Sequence, residues 1–151
     1  MRKFMLMLAL ILATSACVKN QKLVKLQTQP RESAFDIPKM SNQDFVDDVE
    51  IWIAQNIQSK LDSMQVKNKR RGLVIFNVTE TTGGAAFGSC LFKMTFNVQK
   101  KDRKGIIKVL SVVNKGCIGG RVVIYDSEVE QVESIMESII AGLKTFIGQE
   151  S

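Results

Sequence analysis

Residues 91–113 read LFKMTFNVQKKDRKGIIKVLSVV, and this stretch decides the fold. Phe92, Met94, Phe96 and Val98 alternate with Leu91, Lys93, Thr95 and Asn97. A period of two puts the two sets on opposite faces of a pleated strand, so the spacing predicts a half-buried strand with its apolar face inward. Lys100 to Gly105 is a polar turn. Ile106 to Val113 follows as a strand with Ile106, Lys108, Leu110 and Val112 on one side and Ile107, Val109 and Val113 on the other. Apolar residues on both sides predict a central strand covered on both faces.

The cysteines check this hairpin. If the turn centres between Asp102 and Arg103, facing residue numbers sum to about 205. Cys90 then lies opposite position 115, two residues from Cys117. A small bulge or bend closes that gap. A disulfide between Cys90 and Cys117 would staple the open end of the hairpin. The spacing fits neither a metal template nor the CxxC of a catalytic dithiol.

Moving outward, Leu73 to Thr79 is rich in β-branched residues and predicts a strand. Thr81 to Gly88 predicts a small-residue loop, and Arg121 to Tyr125 a short further strand. Helices flank the strands. Ser41 is a good N-cap, Asp44 stands three residues on, and Met40 and Phe45 occupy hydrophobic-staple positions. Phe45, Val49, Trp52, Ile53, Ile57, Leu61 and Met64 recur at helical spacing, with Ile51 pointing away from that stripe. The last helix opens at Asp126 or Ser127, with Glu130 completing a capping box. Its apolar face comprises Val129, Val132, Ile135, Met136, Ile139, Ile140, Leu143, Phe146 and Ile147. Asp126, Glu130, Glu133 and Glu137 form an acidic stripe on its flank. The order predicts an α+β domain over 41–151. Its antiparallel three- to four-stranded sheet is flanked by an N-terminal and a C-terminal helix.

The 151 residues are 45% hydrophobic and 24% charged, with 2 Pro and 10 Gly, which suits one globular domain. The chain has no His, which excludes His-based triads, His general bases and His metal sites. No GxSxG elbow or phosphate loop is present, and the carboxylates fall on predicted helix surfaces. The reading is therefore non-enzymatic, with no catalytic residue, no cofactor and no metal ligand.

At the N-terminus, Arg2 and Lys3 precede an unbroken apolar run from Phe4 to Ala13, followed by Thr14, Ser15 and Ala16. This is the layout of a secretory signal peptide over 1–16, and the run is too short to span a bilayer. The stretch Ala13 to Cys17 resembles the lipobox of bacterial lipoproteins. That resemblance implies lipidation of Cys17 and removal of residues 1–16. Thr14 departs from the aliphatic residue common at its position, and plain cleavage after Ala16 is the alternative. Val18 after the cysteine implies the outer membrane by the family's sorting habit. The expected location is a periplasm-facing outer-membrane lipoprotein, with a secreted or soluble periplasmic form as the alternative. Lipid on Cys17 leaves Cys90 and Cys117 as an even pair in an oxidising compartment. Residues 17–40 then form the lipidated cysteine and a polar tether, in which Leu23 to Leu26 could add a strand.

Without residues 1–16 the chain loses Arg2 and Lys3, and its net charge goes from +6 to +4. Lys67, Lys69, Arg70 and Arg71 form one basic cluster, and Lys100, Lys101, Arg103 and Lys104 another. Without interleaved aromatics they do not read as a nucleic-acid platform. They read as solvated turns, or as a surface for anionic headgroups or an acidic partner. Ile51, Lys100, Lys101, Arg103 and Lys104 are the candidate partner-binding residues. The architecture is similar to small outer-membrane assembly lipoproteins, such as the partner of the lipopolysaccharide transport pore. The hairpin, cysteine pair and flanking helices are similar to the C-terminal domain of TolA-type proteins. These likenesses imply an assembly or accessory factor that binds an envelope protein, with membrane lipid held through acyl chains. The alternatives are a component of a trans-envelope secretion, conjugation or energy-transducing complex, and a carrier of a small apolar ligand.

Overall fold

The computed structural model describes residues 31–57, 64–84, 88–118 and 126–148. Five strands form one antiparallel sheet: β1 (Glu32–Asp36), β2 (Met64–Asn68), β3 (Leu73–Gly84), β4 (Gly88–Lys101) and β5 (Lys104–Cys117). Their order across the sheet is β1-β5-β4-β3-β2. Among the described residues two helices, α1 (Asn42–Asn56) and α2 (Asp126–Gly148), accompany the sheet. The α+β class is as expected, but the sheet has five strands where three or four are predicted.

β4 is the strand that the alternation predicts. Phe92, Met94, Phe96 and Val98 are all fully buried, and Phe76 of β3 stacks on Phe96 with ring centroids 5.2 Å apart. Each such side chain contributes roughly 1.5–3 kcal/mol through burial. The centre of the sheet is β4, however, and β5 lies beside it. The predicted double coverage of Ile106 to Val113 does not hold among the described residues. Two register shifts in the β4–β5 pair explain part of this. Facing numbers sum to 205 at Phe96↔Val109, to 206 at Thr95↔Ser111 and to 207 at Cys90↔Cys117. Two single-residue bulges thus make up the two-residue gap. The first, at Leu110, reverses the alternation, so Val112 joins Val109 toward the core while Ser111 and Val113 face out.

The two additional strands lie at the edges. β1 pairs with β5 from Glu32↔Lys108 to Asp36↔Lys104. Glu32–Asp36 therefore belongs to the sheet, so the tether reading for 17–40 does not hold over those residues. Phe35 lies across Gly105, where an added Cβ would come within 2.3 Å of the ring, and Ile37 enters the core. Five residues with three of them exposed carry too little apolar pattern to announce a strand. The Leu23 to Leu26 stretch lies outside the described residues.

β2 corrects the first helix. α1 is capped as predicted: Asp44 N–H donates to Ser41 Oγ at 3.1 Å, and Ser41 N–H donates to Asp44 Oδ2 at 3.2 Å. It ends at Asn56, with Ile57 as an extended C-cap, so Met64 belongs to a strand and Leu61 lies outside the described residues. Two apolar residues three apart fit either structure, and here pairing with Leu73 to Phe76 decides. β3 likewise runs to Gly84, into the stretch predicted as a loop. The predicted strand Arg121 to Tyr125 falls outside the described residues.

Both helices pack on one face of the sheet. Phe45, Val49, Trp52 and Ile53 of α1 meet Val132, Met136, Ile139, Leu143 and Ile147 of α2 over the inward residues of β3, β4 and β5. Gly142 allows the close approach, since a Cβ there would sit 3.0 Å from the Trp52 ring.

Candidate functional site

The helices leave the other sheet face without a covering element among the described residues. Its rows follow from the register. Ile75, Asn97, Lys108 and Glu32 run side by side across four strands. Asn77, Thr95 and Ser111 form the next row. Thr95 Oγ1 donates to Asn77 Oδ1 at 2.9 Å, and Ser111 Oγ donates to Thr95 Oγ1 at 3.1 Å. The buried Asn77 Nδ2 finds no hydrogen-bond partner among the described residues. Beyond that row stand Thr79, Lys93 and Val113, then Thr81 and Leu91. Leu91 is 40% exposed and Val113 44%. A strand face that alternates with a full core needs only polar residues to stay solvated, so exposed Leu and Val there are the informative departure.

The two ends of the sheet differ. β1 and the Arg31 before it cover β5 only as far as Val109, whose N–H donates to Arg31 O at 2.8 Å, and β2 covers β3 only as far as Phe76. The half toward Cys90 and Cys117 is therefore three strands wide among the described residues, with two unpaired strand edges. Unpaired edges offer N–H and C=O groups to an incoming strand. Cys90 and Cys117 face each other across this end, disulfide-bonded. Closing a loop of 27 residues stabilises the fold by roughly 3–4 kcal/mol on the chain-entropy model.

The opposite end is cationic. The β2–β3 turn and the β4–β5 turn meet there, joined by a hydrogen bond from Lys100 N–H to Gly72 O at 2.8 Å. Lys67 and Lys69 are drawn aside by α1: Lys67 pairs with Glu50, and Lys69 with Asp47 at 2.6 Å. The hydrogen bond from Lys69 holds the Asp47 carboxyl below the usual carboxylate range, and Asp47 in turn raises the Lys69 ammonium.

The candidate residues do not form one patch. Lys100, Lys101, Arg103 and Lys104 sit at the hairpin tip, whereas Ile51, 47% exposed, lies on α1. Nine residues separate Ile51 from the start of that helix, about 14 Å along its axis. Cys17 lies outside the described residues. Several placements had no signal in the sequence. Arg31 reaches Glu133 at 2.9 Å and Glu137 at 3.2 Å, so the acidic stripe of α2 meets a residue from the expected tether rather than a basic cluster. Glu128 is buried on α2, close to Gly83.

A cleft of about 390 Å³ opens between α1, α2 and β3, lined by Trp52, Ile57, Val78, Glu80, Ile135 and Ser138 among others. Among the described residues no three acidic or cysteine side chains gather as a metal-ligand set, and no helix is long and apolar enough to cross a membrane.

Among the described residues the geometry defines a class first: a five-stranded antiparallel sheet with two helices on one face. Two solved structures are similar to it in fold. A DUF4468 family protein from Bacteroides ovatus is 10% identical, with a TM-score of 0.51 over 80% of this chain and 90% of that one. A TBP-like protein from Parabacteroides distasonis is 9% identical, with a TM-score of 0.56 over 82% of this chain and 97% of that one. At such identities the likeness is one of fold alone. No protein-family model matches the chain, and no curated protein does.

Proposed function

We propose that this chain is a lipid-anchored bacterial envelope protein that works without catalysis, as an assembly or accessory factor binding a protein partner on its open sheet face. The observation that carries this reading is the exposed pair Leu91 and Val113 on a face that no described element covers, beside two strand edges that no described strand pairs. Apolar side chains next to main-chain donors and acceptors suit recognition by sheet face or added strand. The signal-like residues 1–16 and Cys17 support export and anchoring through lipid. A place in a trans-envelope complex uses the same face, and the partner's identity separates the two. A carrier of a small ligand would instead use a cleft such as the one beside Trp52 or the one between Arg31 and Lys144, and their linings, with Glu80 and Ser138 in the first and Arg31, Glu137 and Lys144 in the second, suit an apolar ligand poorly.

The test places a photocrosslinking residue at position 113 and, as a control, at the exposed position 145 on α2. In intact envelopes, one stoichiometric protein adduct from position 113 alone is expected, and Leu91→Lys should abolish it. Adducts of equal yield from both positions, or a purified protein carrying bound ligand and no adduct, would reject the reading. Cys17→Ala should release the chain from membranes.

A further inference from the structure

We infer that the cationic end of the sheet is a docking surface for an anionic phospholipid bilayer. Two basic clusters, about thirty residues apart in sequence, become one surface because the β2–β3 and β4–β5 turns lie side by side. Packing also sorts them. Lys67 and Lys69 are engaged by Glu50 and Asp47. Arg70, Arg71, Lys101, Arg103 and Lys104 are exposed and Lys100 half-exposed, and none of the six has an ion-pair partner among the described residues. The acids that share this end are Asp102, within the hairpin turn, Asp36, across from Lys104, and Asp44. Asp44 is occupied in capping α1 through Ser41, so the helix terminus is already satisfied.

The surface is electrostatic rather than inserting. Of the exposed large apolar residues, Leu91, Leu110 and Val113 lie away from both turns, and Val66 stands on β2 three residues short of the β2–β3 turn. A fixed cluster of Lys and Arg without apolar wedges or stacking aromatics suits a field of lipid phosphates better than nucleic acid. The reach is adequate. β1 spans about 17 Å from Arg31 to this end. The thirteen residues between Cys17 and Arg31 span up to about 45 Å when extended. A chain anchored at Cys17 can therefore set its cationic end on the bilayer. This inference rests on the anchoring reading for its setting only, and the test uses unanchored protein, so each can fail alone.

Residues 18–151, which include all described residues, are sedimented with vesicles of phosphatidylcholine, alone or with about one-third phosphatidylglycerol. Binding is expected only to the anionic vesicles, and to fall at high salt. Each surface Lys or Arg should change partitioning by about fivefold. Replacing Lys100, Lys101, Arg103 and Lys104 with Gln should weaken binding by up to about several hundredfold, by the same rule. Arg70→Gln with Arg71→Gln, in a different turn, should weaken it as well. Lys67→Gln with Lys69→Gln should change it little. Equal binding to both vesicle types, undiminished binding of both turn variants, or preference for a DNA duplex over the anionic vesicles would overturn the inference. Loss of vesicle binding by Leu91→Lys would overturn it too, because that residue belongs to the open face and not to this end.

Discussion

Phe96 and Thr95 are neighbours on β4, yet one is sealed against Phe76 under the helices and the other stands in a row of polar side chains on the open face. The contrast extends along the strand. Phe92, Met94 and Val98 are fully buried, whereas Leu91 is exposed and Lys93, Asn97 and Gln99 are half-exposed. The same backbone serves both faces, so local conformation is not the difference. What differs is what packs on each face. The inner face holds the stability of the domain, and the outer face is free to carry a binding surface.

The largest test of that contrast is a matched pair. Phe96→Ala should lower unfolding free energy by about 3–5 kcal/mol, through lost burial and the cavity left behind. Thr95→Ala should lower it by less, about 1–3 kcal/mol, since it removes two hydrogen bonds of the row and leaves the buried Asn77 Oδ1 without its donor. Urea melts of the two variants measure the difference, and equal losses would break the two-face description. Replacing both Cys90 and Cys117 with Ala should lower stability by roughly 3–4 kcal/mol while the fold persists. The circular dichroism spectrum and melting temperature check this together. A smaller effect is expected from Gly105→Ala, which pushes Phe35 off β5. The cost should be about 1–3 kcal/mol, seen as faster amide exchange in β1 than in β4.

The smallest effect lies at the rim between the faces, in the exposed pair Asp47 and Lys69. The folded Asp47 carboxyl titrates below its unfolded counterpart. Its contribution is therefore complete above the unfolded pKa and is lost as pH falls through the folded one. Lys69 titrates above its unfolded counterpart, so its contribution is lost only as pH rises through that raised value. Asp47→Asn should match the parent in strong acid and fall slightly below it at neutral pH. Melts at the two conditions check the sign.

Much of this was legible in residues that meet their neighbours locally. The period-two run in β4 identified the inward set, and the turn arithmetic placed Cys90 two residues out of register with Cys117. Ser41 and Asp44 announced the start of α1. The misreadings share one cause. Glu32–Asp36 and Met64–Asn68 are short edge strands that exist because β5 and β3 pair with them, and neither carries a strong periodic signal. The bulge at Leu110 was anticipated as a gap but not at that position. It moves Val112 inward, which an unbroken alternation cannot show. For the candidate site, the basic residues were visible as two clusters and Leu91 as the outward side of a strand. That the clusters join, and that Leu91 and Val113 share a face that no described element covers, depends on register across the sheet.

By itself, the sequence determined the class of the fold, the hairpin at its centre, the pairing of Cys90 with Cys117, the cap of α1 and the inward face of α2. These follow from spacings of two to four residues, or from one turn, and short-range geometry is written directly in residue order. Tertiary structure alone decided which sheet face the helices cover and which strands close its edges. It also decided that Arg31 meets Glu133 and Glu137, more than a hundred residues away. It diverted Lys67 and Lys69 to α1 and left the other basic residues gathered at one end. Coulomb and packing energies act between groups that are close in space, and for these groups closeness arises only once the sheet has formed.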